Sequence, residues 1–219
     1  AALFQGKENP ATELYHKLLH PRMGPAKRIW YLGRTYFHYI RTAVQIAAEL
    51  GMTIVLYDEG MYPSGSACGQ VVEGHPELAS EGIALVETIL PDDEILAQTE
   101  SGTLVARKSG GTMRGLHWGE DDGEPYAPKT ADILSPEAVN RFIALTHEAY
   151  YRELKEYFGS TIIGFFTDEP SILGRNVSGM FPWTHGFAKL FAAEGGNLAG
   201  LAALFQGKEN PATELYHKL

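Results

Sequence analysis

Two acidic dipeptides, Asp58-Glu59 and Asp168-Glu169, each close a short apolar run, MTIVLY at 52–57 and TIIGFFT at 161–167. Neighbouring carboxylates in different environments divide into an acid and a base, which is the pairing that hydrolysis of a glycosidic bond requires. Their separation then sets the outcome, about 5 Å for retention and about 6.5–9.5 Å for inversion. The structural alternative is that Asp58 caps the turn after its strand while Glu59 or Asp168 forms an ion pair. Glu169 stands out among the four. Pro170 follows it directly and biases it toward extended backbone, a conformation that would hold its carboxylate out over the strand ends.

Around these acids lie candidate substrate-binding residues: Tyr57, Tyr62, Ser64, His117, Trp118, Glu120, Asp121 and Trp183. Ser64, Gly65, Ser66 and Gly69 follow a strand in the manner of a phosphate loop, but two acids precede them and no Gly-Lys-Ser/Thr follows. The run GLHWGEDD (115–122) offers carboxylates that suit a hard cation or a sugar. Its spacing fits no EF-hand loop, and a solvated turn is the plainer reading. Phe181, Pro182 and Trp183 offer an aromatic face for a sugar, or a piece of core. Cys68, the single cysteine, needs a positioned base to act as a nucleophile and otherwise reads as a small buried side chain. His38, His75, His147 and His185 show no metal-ligand spacing, so neither metal nor cofactor is expected.

The elements that must position these residues repeat one grammar. Thr35–Leu50 predicts an amphipathic helix, with Phe37, Ile40, Val44 and Ala47 at three- and four-residue spacing and Gly51 at its end. The first apolar run follows as a strand. Ser135-Pro136 begins a second helix as N-cap and first-turn proline. Its buried face runs through Val139, Phe142, Ile143, Thr146, Tyr150, Leu154 and Tyr157, Gly159 ends it, and the second apolar run follows. Strands this apolar are those of a parallel sheet covered on both faces. Between the two units, Gly82–Ile89, Glu94–Gln98 and Thr103–Arg107 predict antiparallel strands with turns at 91–93 and 101–102.

Composition bounds the class. The 44% hydrophobic content suffices for a core, and 21% charged with 11% aromatic residues excludes a disordered chain. A net charge of −9 with scattered basic residues argues against nucleic acid or an anionic membrane as partner. No apolar run approaches the roughly 20 residues of a membrane span, and Ala1–Leu18 lacks the basic flank and apolar block of a secretory leader. The lone cysteine fits a reducing compartment, and a cytoplasmic location is expected.

The sequence AALFQGKENPATELYHKL occupies both 1–18 and 202–219. Such a perfect, widely spaced repeat is no solenoid; it points to permutation, concatenation or a segment shared by both ends. Two copies of one helix could compete for one groove, giving a homo-oligomer or a segment swap. A closed (β/α)₈ barrel takes about 250 residues, roughly 30 per unit, so about five units fit here at best. The expected fold is therefore α/β: part of a TIM (β/α)₈ barrel, incomplete at about half, with an inserted β-rich segment. The expected divisions are 1–22 for the first repeat helix, 23–79 for βα units and 80–131 for the β-rich insertion. Further βα units are expected over 132–201, and the repeated helix over 202–219.

The segments LGMTIVLYDEGMYPSGSACG (50–69), GLHWGEDDGEP (115–125) and ADILSPEAVNRFIALTHEAYYRELKEYFGSTIIGFFTDEP (131–170) resemble bacterial (β/α)₈ glycoside hydrolases related to α-L-rhamnosidases and β-glucuronidases. The resemblance covers roughly residues 29 to 191 and implies that the two strands are the third and fourth of a barrel. In the large clan of retaining glycosidases, strand four ends in Asn-Glu-Pro, whose Glu is the general acid/base. Here Asp168 stands in place of the Asn, and Glu169 carries over. That clan's nucleophile ends strand seven, which has no counterpart here. Two functions follow as expectations. One is a glycoside hydrolase acting on a carbohydrate through Glu169, with Asp58, Glu59 and Asp168 positioning the sugar. The other is a non-catalytic half-barrel fragment or assembly unit.

Overall fold

The computed structural model describes residues 30–114 and 127–219. Helix α1 (Arg34–Glu49) buries Phe37, Val44 and Ala47. It ends at Gly51, whose φ of +67° is the left-handed conformation that a helix C-terminus favours. Strand β1 (Ile54–Tyr57) follows directly.

The second helix is broken in two. Ser135 caps α2 (Pro136–Leu145) by accepting from the Ala138 N–H. At Thr146 the helix is distorted, with φ −104° and ψ −77°, while its Oγ1 donates back to the Phe142 carbonyl at 2.7 Å. Helix α3 (His147–Leu154) restarts at once and leads to β5 (Ile162–Phe166). Strands β1 and β5 pair in parallel, with Ile54 opposite Ile162 and Tyr57 opposite Phe166. Phe37 and Val44 of α1 and Ala149, Tyr150 and Leu154 of α3 pack with Leu56 and Ile162 on one face of this pair.

The remaining strands form a separate sheet. β2 (Glu81–Val86), β3 (Glu94–Thr99), β4 (Gly102–Lys108) and β6 (Phe181–Trp183) are antiparallel throughout, in the order β3-β4-β2-β6. Gly82 lets β6 come close: a Cβ there would lie 3.0 Å from the Phe181 carbonyl oxygen. Helix α4 (Phe187–Ala193), a 3₁₀ segment (Leu198–Gln206) and α5 (Pro211–Lys218) pack with this sheet around Ile83, Leu104, Trp183, Phe191 and Leu201.

This arrangement overturns the partial barrel. Among the described residues only two strands run parallel, beside a four-stranded antiparallel sheet and five α-helices, with no succession of alternating βα units. The strand after β5 does not extend the parallel pair; it completes the antiparallel sheet. Nor are the apolar strands covered on both faces, since Val55, Ile163 and Phe166 are 53–60% exposed. An apolar run specifies burial of one face as readily as of two when it is only four or five residues long.

A third core ties the long segment after β1 to α2. Met61, Ala67, Cys68, Val71 and Leu78 pack with Ala138 and Phe142, and Arg141 Nε donates to the Val71 carbonyl at 3.0 Å. Among the described residues no helix is long and apolar enough to cross a membrane.

Candidate active site at the strand ends

Parallel pairing sets the two acidic dipeptides side by side at the carboxyl ends of β1 and β5, and the loops then give them opposite environments. Glu59 is 2% exposed. One carboxylate oxygen accepts from the backbone N–H groups of Gly60 (2.9 Å) and Cys68 (2.6 Å), the other from Ser66 (3.0 Å) and Ala67 (2.7 Å). Ala67 and Cys68 have φ of +51° and +55°, which turns successive amides toward one point. The Ser- and Gly-rich loop, which lacks the Gly-Lys-Ser/Thr of a phosphate loop, is thus an anion nest filled by the chain's own glutamate. Burial pushes the Glu59 carboxyl up to about 7, against the opposing pull of those four amides.

Asp58 is fully buried. Its oxygens accept from Ser64 Oγ at 2.7 Å and Thr167 Oγ1 at 2.5 Å, and His147 Nε2 lies 3.7 Å away. Ser64 joins the two strand ends: its Oγ also accepts from the Asp168 N–H at 2.9 Å, and its own N–H donates to the Asp168 carbonyl at 3.0 Å. Asp58 and Glu59 are therefore spent within the protein and cannot touch a sugar, which corrects their expected role in positioning one. Ser64 is likewise 2% exposed and acts as a strut rather than a substrate contact.

The second pair faces outward. Asp168 is half-buried and Glu169 exposed. Glu169 takes φ +36°, in the left-handed region, not the extended conformation that Pro170 predicts. A proline disfavours the right-handed helical region in the residue before it, but it does not forbid the left-handed one. The exposed carboxylate accepts from Tyr62 Oη at 2.5 Å, and this bond raises the Tyr62 hydroxyl above its ordinary range. Tyr62 is held by a two-way backbone bridge to Arg114 (3.3 and 2.7 Å). The guanidinium carbons of Arg114 and Arg175 lie 4.8 and 5.6 Å from its ring centre.

Other expected contacts fall elsewhere. Trp183 is 1% exposed, packed on Phe187 and stacked on Tyr216, so it offers no ring face to a sugar. Tyr57 donates to the Met61 carbonyl at 2.8 Å and packs beside Phe166; burial pushes its hydroxyl up to about 12. His117, Trp118, Glu120 and Asp121 lie outside the described residues. Among the described residues no group of three or more His, Cys, Asp or Glu could hold a metal ion. A cleft of about 680 Å³, lined by Glu81, Lys108, Asp132, Ser135 and His185 among others, includes neither acidic pair.

Sequence reasoning passed over Thr167, Arg114 and Arg175, and named His147 only as a histidine without metal-ligand spacing. Thr167 had a signal, since it directly precedes the second pair. His147 had none for its place beside Asp58, because that contact joins the start of α3 to the end of β1, far apart in the sequence. Compared with family models, curated proteins and solved structures, the chain finds no match.

Proposed function

We propose that the strand-end site hydrolyses a glycosidic bond, with Glu169 as general acid/base. The observation that carries this reading is the second acidic pair: Glu169 is exposed, held in left-handed backbone and oriented by the Tyr62 hydroxyl. Residues held in sparsely populated backbone conformations concentrate at functional sites. A carboxyl group so placed can protonate a leaving oxygen and then take a proton from water. Tyr62 fixes its direction, and the guanidinium groups over the Tyr62 ring hold that ring in turn. Asp168, half-buried beside it, is the neighbouring carboxylate, anchored through its backbone to Ser64. Asp58 and Glu59 support this site without contacting the substrate.

The test is a screen of the folded protein against aryl glycosides, including rhamnosides, glucuronides and galactosides, with Glu169→Gln alongside. Turnover that disappears in the variant at an unchanged melting temperature supports the assignment. A fully active Glu169→Gln removes it. Silence of the folded wild-type chain across the panel favours the second reading, a non-catalytic assembly unit, whose motivation is the perfect 18-residue repeat.

A further inference from the structure

We propose that the groove holding Ala202–Leu219 is a docking site for either copy of the repeated segment, so that Ala1–Leu18 of the same chain competes with the resident copy for it. The seated copy shows what the groove recognises. The Phe205 ring meets Phe181 edge-on at 5.0 Å, and Tyr216 stacks on Trp183 and meets Phe187 edge-on. Tyr216 Oη donates to the Pro182 carbonyl at 2.6 Å, Gln206 Nε2 to Ser101 Oγ at 3.0 Å, and Asn210 Nδ2 to the Gly200 carbonyl at 2.8 Å. Ala212 sits where a Cβ on Gly200 would be 2.7 Å away, so the groove is fitted to a small residue there.

Every segment-side group in that set recurs 201 positions earlier, as Phe4, Gln5, Asn9, Ala11 and Tyr15. The local chemistry that shapes the segment is carried along with it. Asn210 caps α5 by accepting from Ala212 and Thr213, and Thr213 Oγ1 accepts from the Asn210 N–H; Asn9 and Thr12 are the matching pair. The receptor side, including the fully buried Leu201 just ahead of the segment, belongs to neither copy.

One groove and two identical ligands on one chain make a two-state element. A copy on the same chain acts at an effective concentration near millimolar, which a second chain at micromolar concentration cannot match. The stretch from Leu18 to Trp30 can extend to about 40 Å, close to the diameter expected of a domain of this size. The resident copy keeps the advantage of a direct connection; closing the longer linker of about twelve residues sets that advantage at a few tens-fold.

Redundancy is the signature to measure. Phe205→Asp with Tyr216→Asp disables the resident copy, and Phe4→Asp with Tyr15→Asp disables the other. The folding equilibrium, read from urea unfolding, should fall no more than about 40-fold in the first variant and less than about twofold in the second. The fourfold variant should lose more than about 1,000-fold. Fluorine NMR of 5-fluorotryptophan at position 183 should keep its native signal in the first variant and lose it in the fourfold one. Equal losses for Phe205→Asp/Tyr216→Asp with and without the changes at positions 4 and 15 would overturn the proposal. So would a rescue that grows with protein concentration, because it would place the second copy on another chain.

Discussion

The same dipeptide ends two neighbouring parallel strands, and the two copies have opposite fates. Glu59 meets four backbone amides and is sealed from water, whereas Glu169 meets one tyrosine hydroxyl and faces solvent. The residues that follow explain the difference. Gly60 supplies an N–H to Glu59, and the left-handed turn at Ala67 and Cys68 supplies more. Pro170 has no N–H to give. The lesson is that a carboxylate's role is decided by the donors its own loop aims at it, and a dipeptide motif does not encode those. The buried pair holds the strand ends in place; the second pair stays open to solvent, where the proposed chemistry would use it.

The comparison can be broken most sharply at Glu59. An amide keeps one acceptor oxygen where the carboxylate had two, so Glu59→Gln leaves two buried N–H groups facing a donor. It should cost about 2–4 kcal/mol in urea unfolding, while Glu169→Gln should stay within about 0.5 kcal/mol. Ser64→Ala cuts the strut between the two loops and strands the Asp168 N–H; a loss of about 1–3 kcal/mol is expected by the same measurement.

Acid sharpens the contrast. With Glu59 lifted to about 7 in the folded chain from an ordinary 4.5, the native state binds more protons than the unfolded state between those values. The free energy of unfolding should therefore fall as pH rises from about 4.5 to about 7, and a pH series of urea midpoints on wild type against Glu59→Gln isolates that component. A protonated carboxyl still offers two acceptor oxygens, so this trend is compatible with a damaging amide substitution.

Smaller effects belong to the exposed pair. Tyr62→Phe should leave unfolding unchanged within about 0.5 kcal/mol while lowering glycoside turnover about ten- to hundredfold, the value of one hydrogen bond to a charged group. Glu169→Gly relieves the left-handed backbone and should raise stability by up to about 1 kcal/mol, with activity lost. A variant that gains stability as it loses function is what a strained working residue predicts.

Much of the local structure was legible from periodicity and punctuation. Gly51, Ser135-Pro136 and the two apolar runs mark α1, the start of α2, β1 and β5 to within two residues. The architecture was not. Two similar helix–strand units invited extrapolation to a barrel, but whether a third strand joins depends on pairing, and β6 found its partner in β2. Glu169 illustrates the same limit at one residue: the Pro170 rule concerns local sterics, and the observed φ is held with a contact to Tyr62, 107 positions away. Trp183 shows it in the core, because its aromatic neighbours in sequence suit a binding face and a packed interior equally well.

The division of labour between the pairs is tested most directly by exchanging each pair whole, Asp58→Asn with Glu59→Gln against Asp168→Asn with Glu169→Gln, and measuring unfolding and aryl-glycoside turnover on both. The first variant should unfold at a much lower urea concentration. The second should unfold where wild type does and show no turnover. A stable first variant, or a second variant that unfolds early or keeps its turnover, would contradict the account.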